Sequence, residues 1–335
     1  MKTNHSEMEN IHYCFESSNT SCLKLVYPTT IRASLYVLLG ATILLTVLGN
    51  LLVIVTISHC KQLHTPTNYL ILSLAVSDFL LGAVVMLPSL IRSLETCWYL
   101  GESFCKIHYN IDTLLSAASI FMLYFISIDR YVAVSRPLLY HAKITTCVAK
   151  YMILTCWVLS ALIGFGMELN SLTIQDVSLT QLNCEGRCTV LLDKLSSILS
   201  SVFVFFIPGL FMIGLYLKIL VIAHKQARSL HVTILTVENR EKSRIILSKM
   251  EQKSTRTLGI VTGVYLSCWS PTFIYILIDS VTSLSTPYVY DIVQWIGYLN
   301  SGMNPIIYAF LLKWFRESIK KLLGKLIKKK FTNTF

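Results

Sequence analysis

The chain is short of charge. Of its 335 residues 14% are Asp, Glu, Lys or Arg and 54% are hydrophobic, with a mean hydropathy of +0.60. A soluble domain carries about a quarter charged residues to keep its surface hydrated, so an ordinary soluble fold is excluded. The patterns HExxH, GxSxG and the phosphate loop are missing, so the chain reads as something other than an enzyme. No internal repeat appears, which argues against the inverted halves of many transporters. Residues 290–312 contain no Lys, and a retinal-binding pump needs one there. Residues 1–30 lack the apolar core of a cleavable signal, so the first apolar run is expected to act as signal anchor. The C-terminal segment 313–335 has no cysteine for palmitoylation.

Seven apolar runs are present, near 33–57, 68–91, 105–130, 149–168, 195–218, 257–279 and 290–312. Each approaches the ~20 residues needed to cross a bilayer core. Backbone cannot stay unpaired in lipid, so these runs must be helices. The expected fold is an all-α membrane protein, a seven-transmembrane helix bundle. It divides into an outer tail (1–32), the bundle with its loops (33–312), and an amphipathic helix with a short cytosolic tail (313–335). In that last segment Trp314, Phe315, Ile319, Leu322, Leu323 and Leu326 recur at helical spacing, with Lys320, Lys321, Lys325 and Lys328 between them, as in a helix lying on a membrane surface.

The loops after runs one, three and five, together with the tail, hold 22 of the 29 Lys and Arg. The positive-inside rule then places the N-terminus outside the cell and the C-terminus in the cytosol. The net charge of +11 therefore points to anionic lipid, not to nucleic acid. Asn4 and Asn19 open glycosylation sequons on the outer side. Of ten cysteines, Cys60, Cys147, Cys156 and Cys268 read as free thiols. Cys14, Cys22, Cys97, Cys105, Cys184 and Cys188 fall outside, where disulfides persist. Two bridges fit these better than half a metal site at Cys184 and Cys188, which has no matching His/Cys pair.

Two runs carry a carboxylate at depth, and charge there marks function by default. Asp112 lies 18 residues before Arg130, about five turns and roughly 27 Å along one helical face. It has few polar neighbours on its own helix, and no span offers a central Lys or Arg. A buried carboxylate without a cation tends to protonate, so the missing cation is read as a ligand, a protonated amine. Trp269, Phe273, Trp295 and Tyr298 would wall that cavity, Tyr298 adding a hydroxyl; the bland alternative makes them plain core. Asp78 can meet Asn50, Ser119, Asn300, Ser301 and Asn304. That set suits a small hard cation with water, or equally a packing network that only satisfies Asp78. Asp129, Arg130 and Tyr131 end the third run. Glu251 is a candidate partner for Arg130 in a pair that opens on switching, the alternative being a solvated charge cluster. Pro208, Pro271 and Pro305 are expected to kink three spans.

Taken together the residues resemble a rhodopsin-like (class A) G-protein-coupled receptor over essentially the whole chain. The marks are Gly49-Asn50, Leu74-Ala75 with Asp78, Cys105, Asp129-Arg130-Tyr131, Trp157, Pro208 with Tyr216, Cys268-Trp269-Ser270-Pro271, and Asn304-Pro305-Ile306-Ile307-Tyr308. Within that class Asp112 marks an amine receptor. His64–Asn68, Cys97-Trp98-Tyr99, Thr257–Val261 and Asn300–Pro305 with Tyr308, Trp314 and Phe315 resemble the trace amine-associated receptors. Arg32–Tyr36 and the short tail resemble their type 1 branch, with an olfactory branch of fish or early vertebrates as the alternative.

The resemblance implies disulfides Cys105–Cys188 and Cys22–Cys184, with Cys14 as the competing partner for Cys184. It makes Asp112 the amine anchor, Trp269 the floor of the pocket, and Asp78, Ser119, Asn300, Ser301 and Asn304 a sodium site. Ile120 and Pro208 match a packing switch, working with Tyr216, Asn304, Pro305 and Tyr308. It implies a plasma-membrane receptor coupled to a stimulatory heterotrimeric G protein and cyclic AMP. A diamine or polyamine receptor would add a second anchor from Glu168, Asp193, Asp279 or Asp291; a transporter is the remote reading. Thr272 and Tyr265 depart from the usual Phe, the first being expected to open or hydrate the pocket. Leu312 replaces a Tyr. Ser200 and Ser201 stand where related receptors meet a ring hydroxyl.

Overall fold

The computed structural model describes residues 12–18, 20–24, 27–172, 184–188, 194–233, 239–282, 287–312, 315–321 and 324, without the side chains of 141, 167–172, 226–233, 239–254 and 287. The sequon residues Asn4 and Asn19 and the tail beyond 324 lie outside it.

The described chain is helical apart from one small hairpin. Helix α1 spans Thr29–His59, α2 Pro66–Leu80, α3 Met86–Glu95, α4 Glu102–Ser135 and α5 Pro137–Lys143. Then come α6 Thr146–Leu172, α7 Lys194–Ser200, α8 Ile207–Thr233, α9 Asn239–Thr282 and α10 Pro287–Leu311. Residues 315–321 are also helical. Local chemistry sets several starts. Thr65 accepts from the Asn68 amide and Pro66 opens α2, so cap and fixed φ act together.

Six stretches are long and apolar enough to cross a bilayer: Thr29–His59, Pro66–Glu95, Glu102–Ser135, Thr146–Gly166, Lys194–Lys225 and Thr255–Thr282. Helix α10 has the length, 25 residues or about 37 Å. Its hydropathy is lowered by Gln294, Asn300, Ser301 and Asn304, all of which it buries in the bundle. The architecture is an all-α, multi-span bundle. Helix α4 is its axis, packing on α2, α6, α8 and α9, while α10 packs on α9 and α1.

Two π-turns interrupt the spans. Leu81–Val85 joins α2 to α3, and Ser201–Phe206 joins α7 to α8. Each is followed within three residues by a proline, Pro88 or Pro208. A proline removes its own N–H and pushes away the carbonyl four residues back, so the ladder slips to a wider turn. The expected kink at Pro208 is thus realised as a π-turn, whereas Pro271 and Pro305 sit inside unbroken α9 and α10.

The face that carries the N-terminal tail is laced together. Strands β1 His12–Tyr13 and β2 Leu23–Lys24 pair antiparallel. Segment 184–188 lies against them: Cys22 N donates to Glu185 O at 2.9 Å, and Glu185 N to Thr20 O at 2.8 Å. Trp98 N donates to Gly186 O at 2.8 Å. Three disulfides close this cap, Cys14–Cys97, Cys22–Cys184 and Cys105–Cys188. The expectation of two bridges therefore falls one short, since Cys14 is taken by Cys97. Gly186 has φ +102°, and a Cβ there would stand 2.6 Å from that of Cys14. Only glycine fits.

Candidate ligand site and buried carboxylates

Asp112 sits on α4 at 8% exposure and lines a cavity of about 620 Å³ empty volume. Its Oδ2 accepts from the Tyr298 hydroxyl at 2.7 Å and from Gln294 Nε2 at 3.2 Å. Its Oδ1 accepts from Ser116 Oγ at 3.3 Å. Ser116 is one turn along the same helix, so the acid is less isolated on α4 than expected. All three described donors are neutral. They solvate the carboxylate without cancelling its charge.

The cavity walls come from five helices, Ile163 being the contribution of α6, and from the π-turn residue Val204. Tyr109, Thr113 and Ser116 line it from α4, Ser200 from α7, Trp269, Thr272, Phe273 and Ile276 from α9, and Tyr290 and Gln294 from α10. Three expected ligand residues lie behind this wall. Trp295 turns its ring N–H to Ser93 Oγ at 3.1 Å and packs edge-on against Tyr298. Tyr298 reaches the site only through its bond to Asp112. Ser201 is buried in the π-turn and donates to Ser197 O at 2.8 Å. Thr272 lines the cavity, and its hydroxyl donates to Val293 O at 2.8 Å. Trp269 lies flat on α10: a Cβ at Gly297 would come within 2.9 Å of its ring. Phe205 stacks on Phe273 at 4.5 Å, and Tyr265 meets both Phe205 and Trp269.

Sequence reading missed His108, one turn outward of Asp112 on the same face. Its Nε2 lies 3.0 Å from Val85 O and 3.3 Å from Ser89 Oγ, fully inside the bundle. The four-residue spacing to Asp112 was the available signal. Further out, Arg92 pairs with Asp291 at 3.1 Å, linking α3 to α10. Asp279 keeps one buried carboxylate oxygen with no hydrogen bond. The side chain of Glu168 and all of Asp193 lie outside the described residues.

Asp78 is fully buried on α2. Its Oδ1 accepts from Ser119 Oγ at 3.1 Å and Ser301 Oγ at 2.8 Å, and its Oδ2 from Asn304 Nδ2 at 2.8 Å. Asn50 instead donates to Thr46 O and Ser301 O, both at 2.9 Å. The oxygens of Asn50, Asn300 and Asn304 are buried without partners, as is Asn300 Nδ2. Buried orphan acceptors are rare in folded proteins. The carboxylate, the two hydroxyls and the orphan amide oxygens are all hard oxygen groups, the ligand type that hard cations take.

At the other end of α4, Asp129 and Arg130 are 0% and 5% exposed. Arg130 bonds Asp129 Oδ2 through Nε at 2.9 Å and Nη2 at 2.6 Å. It also donates to Thr67 Oγ1 and to the Tyr140 hydroxyl. Tyr140, delivered by α5, donates to Asp129 Oδ1 at 2.8 Å, and Thr67 to Oδ2 at 2.8 Å. Burial pushes the Tyr140 hydroxyl up to about 12, and the Asp129 carboxylate adds to the rise. Thr67 and Tyr140 were not among the expected partners. Glu251 lies in α9, but its side chain is outside those described. Tyr131 is half-buried; Tyr216 approaches Thr262 Oγ1 at 3.5 Å. Ile120, Pro208 and Pro305 are buried, and the hydroxyl of Tyr308 is buried without a hydrogen bond.

The sequence profile described as 7 transmembrane receptor (rhodopsin family) matches residues 49–308. The chain is 47% identical over 324 residues to trace amine-associated receptor 1 of Macaca mulatta, covering 95% of this chain and 96% of that one. It is 46% identical to the Homo sapiens receptor of the same name, with 95% of each chain covered. It is 41% identical over 317 residues to trace amine-associated receptor 4 of Mus musculus, covering 93% and 91%. The matched family is one of receptors, which excludes the enzyme and transporter readings.

Proposed function

The chain belongs to the rhodopsin family of seven-transmembrane receptors and, within it, to the trace amine-associated receptors, and from that premise we propose that it is a plasma-membrane receptor for protonated amines. One observation carries the reading: Asp112 lines a cavity while its described hydrogen-bond donors are all neutral. An ammonium entering that space gains a desolvated ion pair and aromatic walls from Trp269 and Phe273.

In this reading α10 is the seventh span, the N-terminus is outside and the C-terminus in the cytosol, as the basic loops favour. Asp112 and Arg130 then mark the outer and inner ends of α4. Amine binding favours release of Arg130 from Asp129, Thr67 and Tyr140, and a stimulatory G protein raises cyclic AMP. Moving such an equilibrium from 1:99 to 99:1 takes about 5.5 kcal/mol of differential affinity. Sodium at Asp78, held with Ser119, Ser301, Asn300 and Asn304, favours the resting bundle. The test is Asp112→Ala in cells. Amine-evoked cyclic AMP is expected to vanish while surface expression persists; preserved potency at normal expression sinks the anchor.

A second reading, a diamine receptor, draws on the orphan oxygen of Asp279. Asp279 follows Thr272 and Ile276 on one face of α9, about 10 Å outward of Thr272. Asp291 is the poorer candidate because Arg92 already holds it. Asp279→Asn is expected to weaken long α,ω-diamines and spare monoamines; equal loss for both rejects the second anchor.

A further inference from the structure

A second apolar crevice lies apart from the Asp112 cavity. It lies between α8 and α9 toward their cytosolic ends, with about 1230 Å³ of empty volume against 620 Å³ above. Ile213, Leu217 and Leu220 form one wall; Ile260, Gly263 and Leu266 form the other. Four of these stand 40–64% exposed, at Ile213, Leu217, Leu220 and Ile260. A contiguous apolar surface of this kind on a soluble protein marks a contact site. Here it faces the bilayer.

We propose that this crevice holds an acyl chain of an anionic phospholipid of the cytosolic leaflet, with its headgroup at Arg256. Three features select that occupant. The first is length. Ile213 to Ala223 on α8 and Arg256 to Leu266 on α9 each cover eleven residues, ten steps and about 15 Å of rise. That is one leaflet of a hydrocarbon core about 30 Å thick.

The second is the distribution of polarity. Along the walls the hydroxyls of Tyr216 and Thr262 face each other at 3.5 Å, so they make little demand on a guest. At the mouth, the exposed Arg256 offers a guanidinium, and Thr255 Oγ1 is buried with no hydrogen-bond partner. A charge and an orphan hydroxyl at one end of an apolar furrow match a phosphate-headed amphiphile. The leaflet on this side is the one faced by 22 of the 29 basic residues, where anionic lipids are attracted.

The third is the floor. Gly259 and Gly263, one turn apart, remove side chains from the α9 wall. A Cβ at Gly263 would meet nothing within 4 Å, whereas one at Gly259 would touch the Tyr216 ring at 3.2 Å. Gly263 is therefore open furrow, a position where a larger side chain fills the crevice without a clash.

The inference rests on the orientation proposed above, not on the amine reading. A C-terminal epitope stained only after permeabilisation tests that orientation by itself. For the site, the full chain is placed in nanodiscs of phosphatidylcholine doped with phosphatidylserine carrying a photoreactive acyl chain, and the labelled peptides are mapped. Labelling is expected on 213–223 and 255–266. Gly263→Phe should lower it about fivefold or more, as displacing even two methylenes from apolar contact does. Labelling at Leu44 and Leu48, exposed on α1, and amine binding at the outer cavity should stay unchanged, which shows that the variant folds. Arg256→Gln should remove the preference for phosphatidylserine over an equally photoreactive phosphatidylcholine. Equal labelling by the two lipids in the unaltered chain overturns the proposal. So does a Gly263→Phe chain that labels normally but no longer couples to its G protein, because the crevice then belongs to a protein partner.

Discussion

Asp78 and Asp112 are both carboxylates at membrane depth, each held by three side-chain hydrogen bonds from neutral donors. Their surroundings differ. Asp112 borders a cavity bounded by Trp269 and Phe273. Asp78 is fully buried, and the amide oxygens of Asn50, Asn300 and Asn304 are buried without hydrogen-bond partners. The first environment admits an organic cation with an apolar body. The second offers hydroxyl and amide groups from α4 and α10 and no aromatic wall among its hydrogen-bond partners. Two buried carboxylates with the same number of donors thus differ in what borders them, a cavity in one case and buried amides in the other.

The largest expected effect separates the two acids outright. Asp112→Ala should cost about 100-fold or more in amine potency, the loss expected when one partner of a buried charge pair is removed, read by dose–response of cyclic AMP. Asp78→Asn should leave amine affinity within about tenfold in sodium-free buffer but erase its dependence on sodium chloride. If competition binding still shifts with sodium in that variant, Asp78 is a packing acid and the contrast fails. Tyr298→Phe removes the shortest bond to Asp112. A hydrogen bond to a charged group contributes about 1.5–3 kcal/mol, so amine affinity should drop about tenfold with surface expression unchanged. Gln294→Leu, at 3.2 Å, should cost only a few-fold; an effect larger than that of Tyr298→Phe would invert the ranking of the two donors. The smallest effect on amines belongs to the paired change Cys14→Ser with Cys97→Ser. Cys22 stays tethered to Cys184, so thermal unfolding should shift by about 2 kcal/mol or less with potency preserved.

Much of this was legible in the residues. Long uncharged runs give the helices, because lipid leaves the backbone no alternative. The approach of Asp78 to Ser119, Ser301 and Asn304, and of Tyr298 to Asp112, follows from which polar residues the spans contain. What was hidden depends on register. A π-turn adds a residue to one turn and rotates everything beyond it by about 100°. Ser200 thus lines the cavity while Ser201, its neighbour, is buried against Ser197. Trp295 and Tyr298 sit three apart on α10, yet one bonds Ser93 and the other Asp112. The third disulfide was out of reach for another reason. Its loop closes over 83 residues, and spacing alone does not rank pairings among six outer cysteines. Tyr140 belongs to a short helix between spans, where no hydrophobic period announces a buried hydroxyl.

The five residues 184–188 are fastened at both ends to different parts of the molecule, Cys184 to the tail and Cys188 to α4. Cys97 ties the loop before α4 to the same tail. Such a strap cannot swing as a gate does. Any displacement of these five residues has to carry the tail and α4 with it. The segment is a brace, and the helix it braces is the one that carries both Asp112 and Arg130.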